Sequence, residues 1–477
     1  MKPRSLRRKT KIVCTIGPAT SSPEGLRELM GAGMDVARLN FSHGDHETHR
    51  QTIRTLRRLS VEMDKEIGIL QDLAGPKIRL GTLFPPEREL ETGEQVTLIS
   101  AESSDSSVIP VNYPYLLEDV AVGDRILLAD GTVELTVKVK QHTQVDCEVT
   151  VGGTVQSHKG INLPASDLRI AAFTEKDRLD LKLGLEEKVD FIGLSFVRTP
   201  EDIDPVLEVL DQIERRPLII AKIEKPQAVE RLEAILAKVD GVMVARGDLG
   251  VEVPLEDVPI IQKRIIEVAR KAGKPVITAT QMLRSMMENP RPTRAEAADI
   301  ANAILDGTDA LMLSDETAIG SYPRETVMIL DRVARATEPY LTDTALMDQS
   351  IPELLPQTAA AIGRAAYRLA LDLEAAVIVA TTFSGSTARL VARFRPPCPV
   401  AGLTSSLETQ RQLALSWGVI PIKIDLFEDT DRMFDKAKSW ALRHGLARSG
   451  DLLIITAGVP LGVPGTTNLV KVVELED

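Results

Sequence analysis

Cysteine is scarce in this chain. Three occur in 477 residues, Cys14, Cys147 and Cys398, far apart and with no Cys-x-x-Cys pair. That spacing speaks against a disulfide framework and against a thiolate zinc site, and predicts free thiols in a reducing cytosol. No apolar stretch reaches membrane-spanning length, so no transmembrane helix is expected. Positive charge is in deficit: 57 Lys and Arg stand against 69 Asp and Glu, a formal charge of −12. This balance argues against general binding to nucleic acid or to an acidic membrane. The exception is the amino terminus, where six of the first eleven residues are Lys or Arg. No apolar segment of signal-peptide length follows, and the arm is expected to be a solvated tail. The remaining composition, 43% hydrophobic and 26% charged, is that of a globular protein. Its length allows about three domains.

What is present is a regular alternation. Apolar runs of strand length recur at Lys11–Thr15, Met34–Leu39, Glu66–Gln71, Asp190–Ser195, Leu218–Ala221, Gly241–Ala245, Pro275–Ala279 and Asp309–Leu313. Between them lie segments of helical period: Gly25–Leu29, His46–Met63, Glu201–Ile213, Val229–Ala237, Glu256–Lys271, Arg294–Leu305 and Arg324–Thr337. Eight strands alternating with helices predict a (β/α)8 TIM barrel, whose active-site groups sit on the loops after the strands. The residues ending these runs are polar: Arg38, Asn40 and Ser42, then Asp72, Ser195, Lys222 and Glu224, Arg246 and Asp248, Thr280, and Ser314 to Glu316. A barrel built for stability alone has no need of such a ring, so an enzyme is expected.

The segment 221–250 carries most of the chemistry. Lys222 and Glu224 share a face of their strand, because side chains alternate with period two. If this run and the next are neighbouring parallel strands, Asp248 ends beside Glu224. Paired carboxylate oxygens suit Mg2+ or Mn2+, and the lysine suits an anion or a developing oxyanion. An ion pair capping two strands is the plainer alternative.

The barrel pattern breaks once. From Gly75 to about Ile170 the chain alternates in strand fashion, with turns at Ala129–Asp130–Gly131 and Gly152–Gly153. This predicts a small all-β barrel domain hung after the third barrel strand, placed to act as a lid that excludes water. The last segment returns to helix and strand and is expected to be a separate α/β domain. The division reads 1–75 and 171–343 for the barrel, 76–170 for the lid and 344–477 for the C-terminal α/β effector and oligomerisation domain. In the last, the loop TTFSGSTARL leads from a strand into a helix that presents Ser386, Thr387 and backbone N–H groups, a ready phosphate site or an ordinary cap.

Long motifs now carry a resemblance: MDVARLNFSHG (34–44), KGINLP (159–164), AKIEKPQAV (221–229), DGVMVARGDLGVEVP (240–254), ITATQML (277–283) and PTRAEAADIANAILDGTDALMLSDETA (292–318). Over nearly its whole length the chain resembles the pyruvate kinases. The resemblance implies transfer of a phosphoryl group from phosphoenolpyruvate to ADP, giving pyruvate and ATP, in the cytoplasm and by a homotetramer. It implies Glu224 and Asp248 as Mg2+ ligands, Lys222 at the moving phosphoryl group and enolate, and Arg38 on the phosphoryl oxygens. Gly247 and Asp248 would present N–H groups to the substrate carboxylate, and Thr280 would lie near the carbon to be protonated, with Ser314 or a water chain as other proton sources. Asn40, His43, Arg79 and Lys159 match the nucleotide contacts. In the C-terminal domain Thr382, Ser384, Gly385, Ser386 and Thr387 match an effector loop. Phe383 stands where relatives activated by a sugar bisphosphate place lysine, which leaves a monophosphate effector or none.

Lys77 is a second departure. Potassium-dependent members carry Glu at its position, whereas potassium-independent members carry Lys. A tethered positive charge would then replace the monovalent cation held beside Asn40, Ser42, Asp72 and Leu73, and K+ would not be required. The plainer reading is a surface lysine. Asp315, where Gly is frequent, adds a negative charge near the mouth. Two other classes remain in view: a metabolite-sensing relative without catalysis, and another barrel enzyme acting on pyruvate or phosphoenolpyruvate.

Overall fold

The eight apolar runs pair edge to edge. In the computed structural model, which describes residues 8–129, 131–164, 166, 168–341, 355–425, 429–460, 463 and 465–476, they close into one parallel barrel. Its strands, numbered among themselves, are β1 (Lys11–Ile16), β2 (Val36–Asn40), β3 (Gly68–Asp72), β4 (Phe191–Leu194), β5 (Leu218–Ile223), β6 (Gly241–Ala245), β7 (Val276–Ala279) and β8 (Ala310–Leu313). β1 closes the ring by pairing with both β2 and β8. All eight expected strands are present, with ends shifted by a residue or two.

Alternation along each strand builds two cores. Val13, Leu70, Phe191, Ile220, Met243 and Ile277 fill the barrel interior. Their neighbours, such as Ile12, Cys14, Ile69, Ile219 and Val242, face the surrounding helices. Those helices start where capping chemistry permits. Asp45 caps His46–Glu62, and Thr293 with Glu296 forms a capping box before Arg294–Asp306. One helix, Glu175–Glu186, escaped the sequence reading although Thr174 and Asp177 form the same box.

The insert holds eight short strands between Glu87 and Asn162. Six form one sheet and two a separate ribbon, and both share a core that includes Leu90, Leu98, Leu135, Val149 and Val155. The two edges of the six-stranded sheet are joined through Arg79 and Leu80, which bridge Gly160 and Val111, so the ladders close into the small barrel expected. The expected turn is seen at Ala129 and Gly131, both with positive φ; Asp130 lies outside the described residues. The C-terminal segment forms a five-stranded sheet. Four of its strands run parallel, and Thr467–Glu474 pairs antiparallel on Leu452–Gly458. No described helix is long and apolar enough to cross a membrane. Cys14, Cys147 and Cys398 are buried and free, as expected.

The C-terminal domain also floors the barrel. Ala414 and Leu415 join the interior core. Beside them Asp309 accepts hydrogen bonds from Arg395 at 3.1 Å and from the Trp417 backbone at 3.2 Å. Part of the basic arm belongs to this floor, which corrects the expectation of a solvated tail. Residues 1–7 lie outside the described residues, but Arg8 is buried, 2.8 Å from Asp35 and 2.9 Å from Asp331. Lys9 reaches the Pro396 and Pro397 carbonyls, and Lys11 the Val419 carbonyl at 2.8 Å. The counter-charges are remote in sequence, so composition of the arm alone could not reveal them.

Burial pushes the Asp35 carboxyl up, but Arg8, Lys11 and Lys65 outweigh it and hold it below the usual carboxylate range. A depressed pKa contributes stability that is present above the unfolded value, about 3.9, and lost as pH falls below it. Arg8→Met is expected to cost about 3–5 kcal/mol at neutral pH, because it strands buried carboxylates. Urea denaturation of both proteins across pH checks this. The deficit should shrink as pH falls through the acid range, and a deficit that ignores pH would sink the account.

Candidate active site at the carboxyl rim of the barrel

Closure of a parallel barrel sends every strand's carboxyl end to one rim. There β2 supplies Arg38, β3 ends at Asp72, and β5 supplies Lys222 with Glu224 just beyond it. β5 and β6 are parallel neighbours, with Lys222 opposite Met243. The condition set by the sequence reading is therefore met.

The side chains converge on a compact charge cluster. Lys222 Nζ lies 2.8 Å from Glu224 Oε1 and 3.4 Å from Asp72 Oδ1. It also donates to Ser195 Oγ at 2.8 Å. Asp72 Oδ2 accepts from Arg38 Nε at 2.7 Å, and Arg38 Nη1 donates to Thr15 Oγ1 at 2.9 Å. The second oxygen of Glu224 accepts the Phe196 N–H at 2.9 Å. Phe196 holds a positive φ to deliver that N–H. Neither Phe196 nor Thr15 was singled out from sequence, because their roles depend on chain geometry rather than on residue type.

The electrostatics follow from burial and pairing. Burial opposes the charge on Lys222, yet Asp72, Glu224 and Asp248 together raise its pKa above the ordinary lysine value. Asp72 is pushed up by burial but held below the carboxylate range by Lys222 and Arg38. Glu224 is raised, first by burial and then by the neighbouring Asp248 charge, against the pull of Lys222. That excess negative charge is what a divalent cation relieves. Among the described residues no group of three or more His, Cys, Asp or Glu could hold a metal. The two carboxylates Glu224 and Asp248 still fit Mg2+, which is commonly held by one or two carboxylates with waters and substrate oxygens completing its shell.

After β6 the chain enters the helix Arg246–Glu252, with Asp248 exposed in its first turn. Arg246 is tied to the Thr280 carbonyl at 2.7 Å and to Asp299 at 2.8 Å. Thr280 adopts a positive φ, unusual for a β-branched residue, and its Oγ1 accepts the Gly247 N–H at 2.7 Å. A β-carbon on Gly247 would sit 3.4 Å from that oxygen, an ordinary contact, so the approach does not itself demand glycine. The Gly247 N–H expected for a substrate carboxylate is thus engaged by Thr280 here. Ser314 follows β8, its N–H held by Glu316 at 2.7 Å.

The remaining expected residues surround this cluster without joining it. Asn40 Oδ1 accepts the Ser42 N–H at 3.1 Å, and the Leu73 carbonyl accepts from Ser195 at 2.7 Å. His43 and Lys159 are exposed, and Arg79 donates to the His158 carbonyl at 3.0 Å. Lys77 is exposed and makes no ion pair or side-chain hydrogen bond among the described residues. In the C-terminal domain Thr382, Ser384, Ser386 and Thr387 line an open cleft with Thr404, Asp425 and Thr467, and Gly385 at φ 83° turns the chain beside it.

Residues 7–327 match the family described as pyruvate kinase, barrel domain, and residues 360–473 match pyruvate kinase, alpha/beta domain. The chain belongs to the pyruvate kinase family. It is 47% identical over 477 residues to pyruvate kinase 2 of Synechocystis, covering 99% of this chain and 80% of that one. It is 44% identical over 469 residues to the pyruvate kinase of Clostridium perfringens, covering 97% and 99%. A crystal structure of a pyruvate kinase from Cryptosporidium parvum superposes with a TM-score of 0.92 at 35% identity, covering 98% of this chain and 96% of that one. The activity is that of a pyruvate kinase, a glycolytic phosphotransferase. Members of the family bind phosphoenolpyruvate and ADP or ATP, and generally use Mg2+ and usually K+.

Replacing Lys222 by Met is expected to lower kcat about 10²–10³-fold, the usual effect of removing one preorganised charge-stabilising donor. Mn2+ binding should persist, since its carboxylates remain. Steady-state kinetics with Mn2+ titration checks both, and a near-normal kcat would remove Lys222 from the chemistry.

Proposed function

We propose that this site transfers the phosphoryl group of phosphoenolpyruvate to ADP with the rim residues in distinct roles. The observation that carries the assignment is the convergence of Arg38, Asp72, Lys222 and Glu224, joined in that order by three ion pairs. Glu224 and Asp248 would hold Mg2+ or Mn2+, which supplies charge neutralisation at the phosphoryl and enolate oxygens. Lys222 bridges donor and acceptor, its charge secured by Asp72 and Glu224. Arg38, oriented by Asp72 and Thr15, presents its fork to phosphoryl oxygens. Thr280 lies over Gly247 at the rim, a position suited to the carbon that gains a proton. Asn40, His43, Arg79 and Lys159 would receive the nucleotide beneath the insert, which acts as the lid. The partly buried Arg38 and Thr280 contacts favour this over a sensing role without catalysis.

Potassium independence belongs to the same proposal. Both oxygens of Asp72 already face cations, Arg38 and Lys222, so little negative charge is left for a monovalent ion near Asn40, Ser42 and Leu73. The exposed ammonium of Lys77 lies five residues beyond Asp72 and is free to swing toward that region. Pyruvate formation from phosphoenolpyruvate and Mg-ADP is expected to run at full rate in potassium-free buffer and to be unmoved by KCl. Lys77→Glu should make the rate respond to KCl. Activity that appears only with KCl in the unaltered protein would discard the lysine argument and keep the kinase.

The cavity around Thr382, Ser384, Ser386 and Thr387 would take a phosphorylated effector, its hydroxyl lining suiting a phosphate. Phe383 lies under Arg215, 5.3 Å from the ring centre; it presents no charge to a second phosphate. Exposed Leu255, Ile260 and Ile319 support self-association into the homotetramer expected of a cytoplasmic enzyme of this family. Sedimentation should show a tetramer, and a sugar monophosphate should lower KM for phosphoenolpyruvate. A monomer indifferent to such ligands would overturn both.

A further inference from the structure

The helix Arg246–Glu252 carries two carboxylates one turn apart. Asp248 belongs to the rim cluster. Glu252 is buried, and its Oε1 accepts from Lys225 Nζ at 2.6 Å and from Asn162 Nδ2 at 2.8 Å. These two donors come from different parts of the molecule. Lys225 directly follows Glu224, whereas Asn162 ends the last strand of the insert, Ile161–Asn162. Glu252 Oε2 is buried with no hydrogen-bond partner. Alongside, the turn of the insert touches the same helix: a β-carbon on Gly131 would meet Val251 Cγ1 at 3.4 Å.

We propose that Asn162, Glu252 and Lys225 form a latch through which seating of the insert sets the positions of Glu224 and Asp248, with Glu252 as a positioning residue for transfer to the nucleotide. The proposal rests on the assignment of those two carboxylates to the divalent ion.

The physical reasoning starts from the ion pair. The Lys225 and Glu252 side chains are 6% and 1% exposed. A buried pair is tolerated only while its remaining hydrogen-bonding capacity is met. Oε2 is already unmet, so among the described residues the Asn162 N–H is the one neutral donor that relieves the carboxylate. When the insert moves off, that donor leaves and the pair must shift or admit water. Either response acts on the rim by two covalent routes. Lys225 shares a peptide unit with Glu224, and Glu252 is one helical turn from Asp248. Lys159, three residues before Asn162 in the same segment, is the group expected to meet nucleotide phosphate. Nucleotide drawn to Lys159 therefore seats Asn162 as well. A third link runs through Phe196, which donates to Glu224 and packs on Gly75, where the chain leaves for the insert.

The test is a cycle of Asn162→Ala, Lys225→Met and the double variant in the full chain, read by steady-state kinetics with Mg-ADP. Asn162→Ala is expected to lower kcat/KM for Mg-ADP about tenfold, the scale of one hydrogen bond to a charged group, while thermal stability holds. The double variant should be no worse than Lys225→Met alone, because both act through Glu252. Additive losses, or an unchanged kcat/KM for Mg-ADP in Asn162→Ala, would overturn the latch. Should Lys225→Met fail to fold, Asn162→Asp decides. It keeps the shape but removes the donor, and normal Mg-ADP kinetics in that variant would equally overturn the latch. Mn2+ binding to Glu224→Gln tests the foundation separately. Retained affinity overturns the metal assignment, whereas lost affinity beside a normal Asn162→Ala enzyme overturns only the latch.

Discussion

Closure of the parallel sheet is the constraint on which everything else depends. Once β1 pairs with β8, no strand has a free edge, and each inward side chain has a fixed layer. Closure also leaves eight chain crossings at one rim, where residues far apart in sequence meet. Arg38, Asp72, Lys222 and Glu224 span nearly two hundred positions, yet three ion-pair contacts join them. The opposite rim has another task. It is sealed by Leu415, by Asp309 with Arg395, and by the pairs around Arg8.

A charge cluster like that of the upper rim is a poor way to stabilise a fold. Desolvating two cations and two carboxylates costs more than their mutual attraction returns, unless hydrogen bonds complete the set. Here Ser195, Thr15 and the Phe196 N–H provide part of that completion, while Asp72 Oδ1 is buried with no hydrogen-bond partner among the described residues. The strained backbone at Phe196 and Thr280 lies in the same place. Strain and buried charge concentrated together mark a surface shaped for chemistry rather than for folding.

Sequence made the periodic features legible because they are local. Eight strands, most helices, the polar ring and the shared face of Lys222 and Glu224 follow from period and residue type. What escaped was relational. Thr15 and Phe196 carry no chemical signature until the chain closes around them. The helix Glu175–Glu186 has a weak amphipathic pattern, and only its capping box announced it. The described end of the basic arm, from Arg8, departs from the solvated tail expected because Asp35, Asp331 and Glu338 meet it from distant positions. Lys77 shows the reverse. Its interest came wholly from resemblance, and among the described residues its exposed side chain forms no ion pair or hydrogen bond that local reasoning could have used.

The floor of the barrel also sets an order of events during synthesis. Strands β1 to β8 leave the ribosome first, but the residues that cap their inner layer, Ala414, Leu415 and Trp417, emerge more than a hundred residues after β8 ends. Chains are made at about 5–20 residues per second, so Val13, Leu70 and Phe191 wait for several seconds without their floor. The nascent barrel is thus an unfinished vessel, sticky at one end, for longer than most collapse events last.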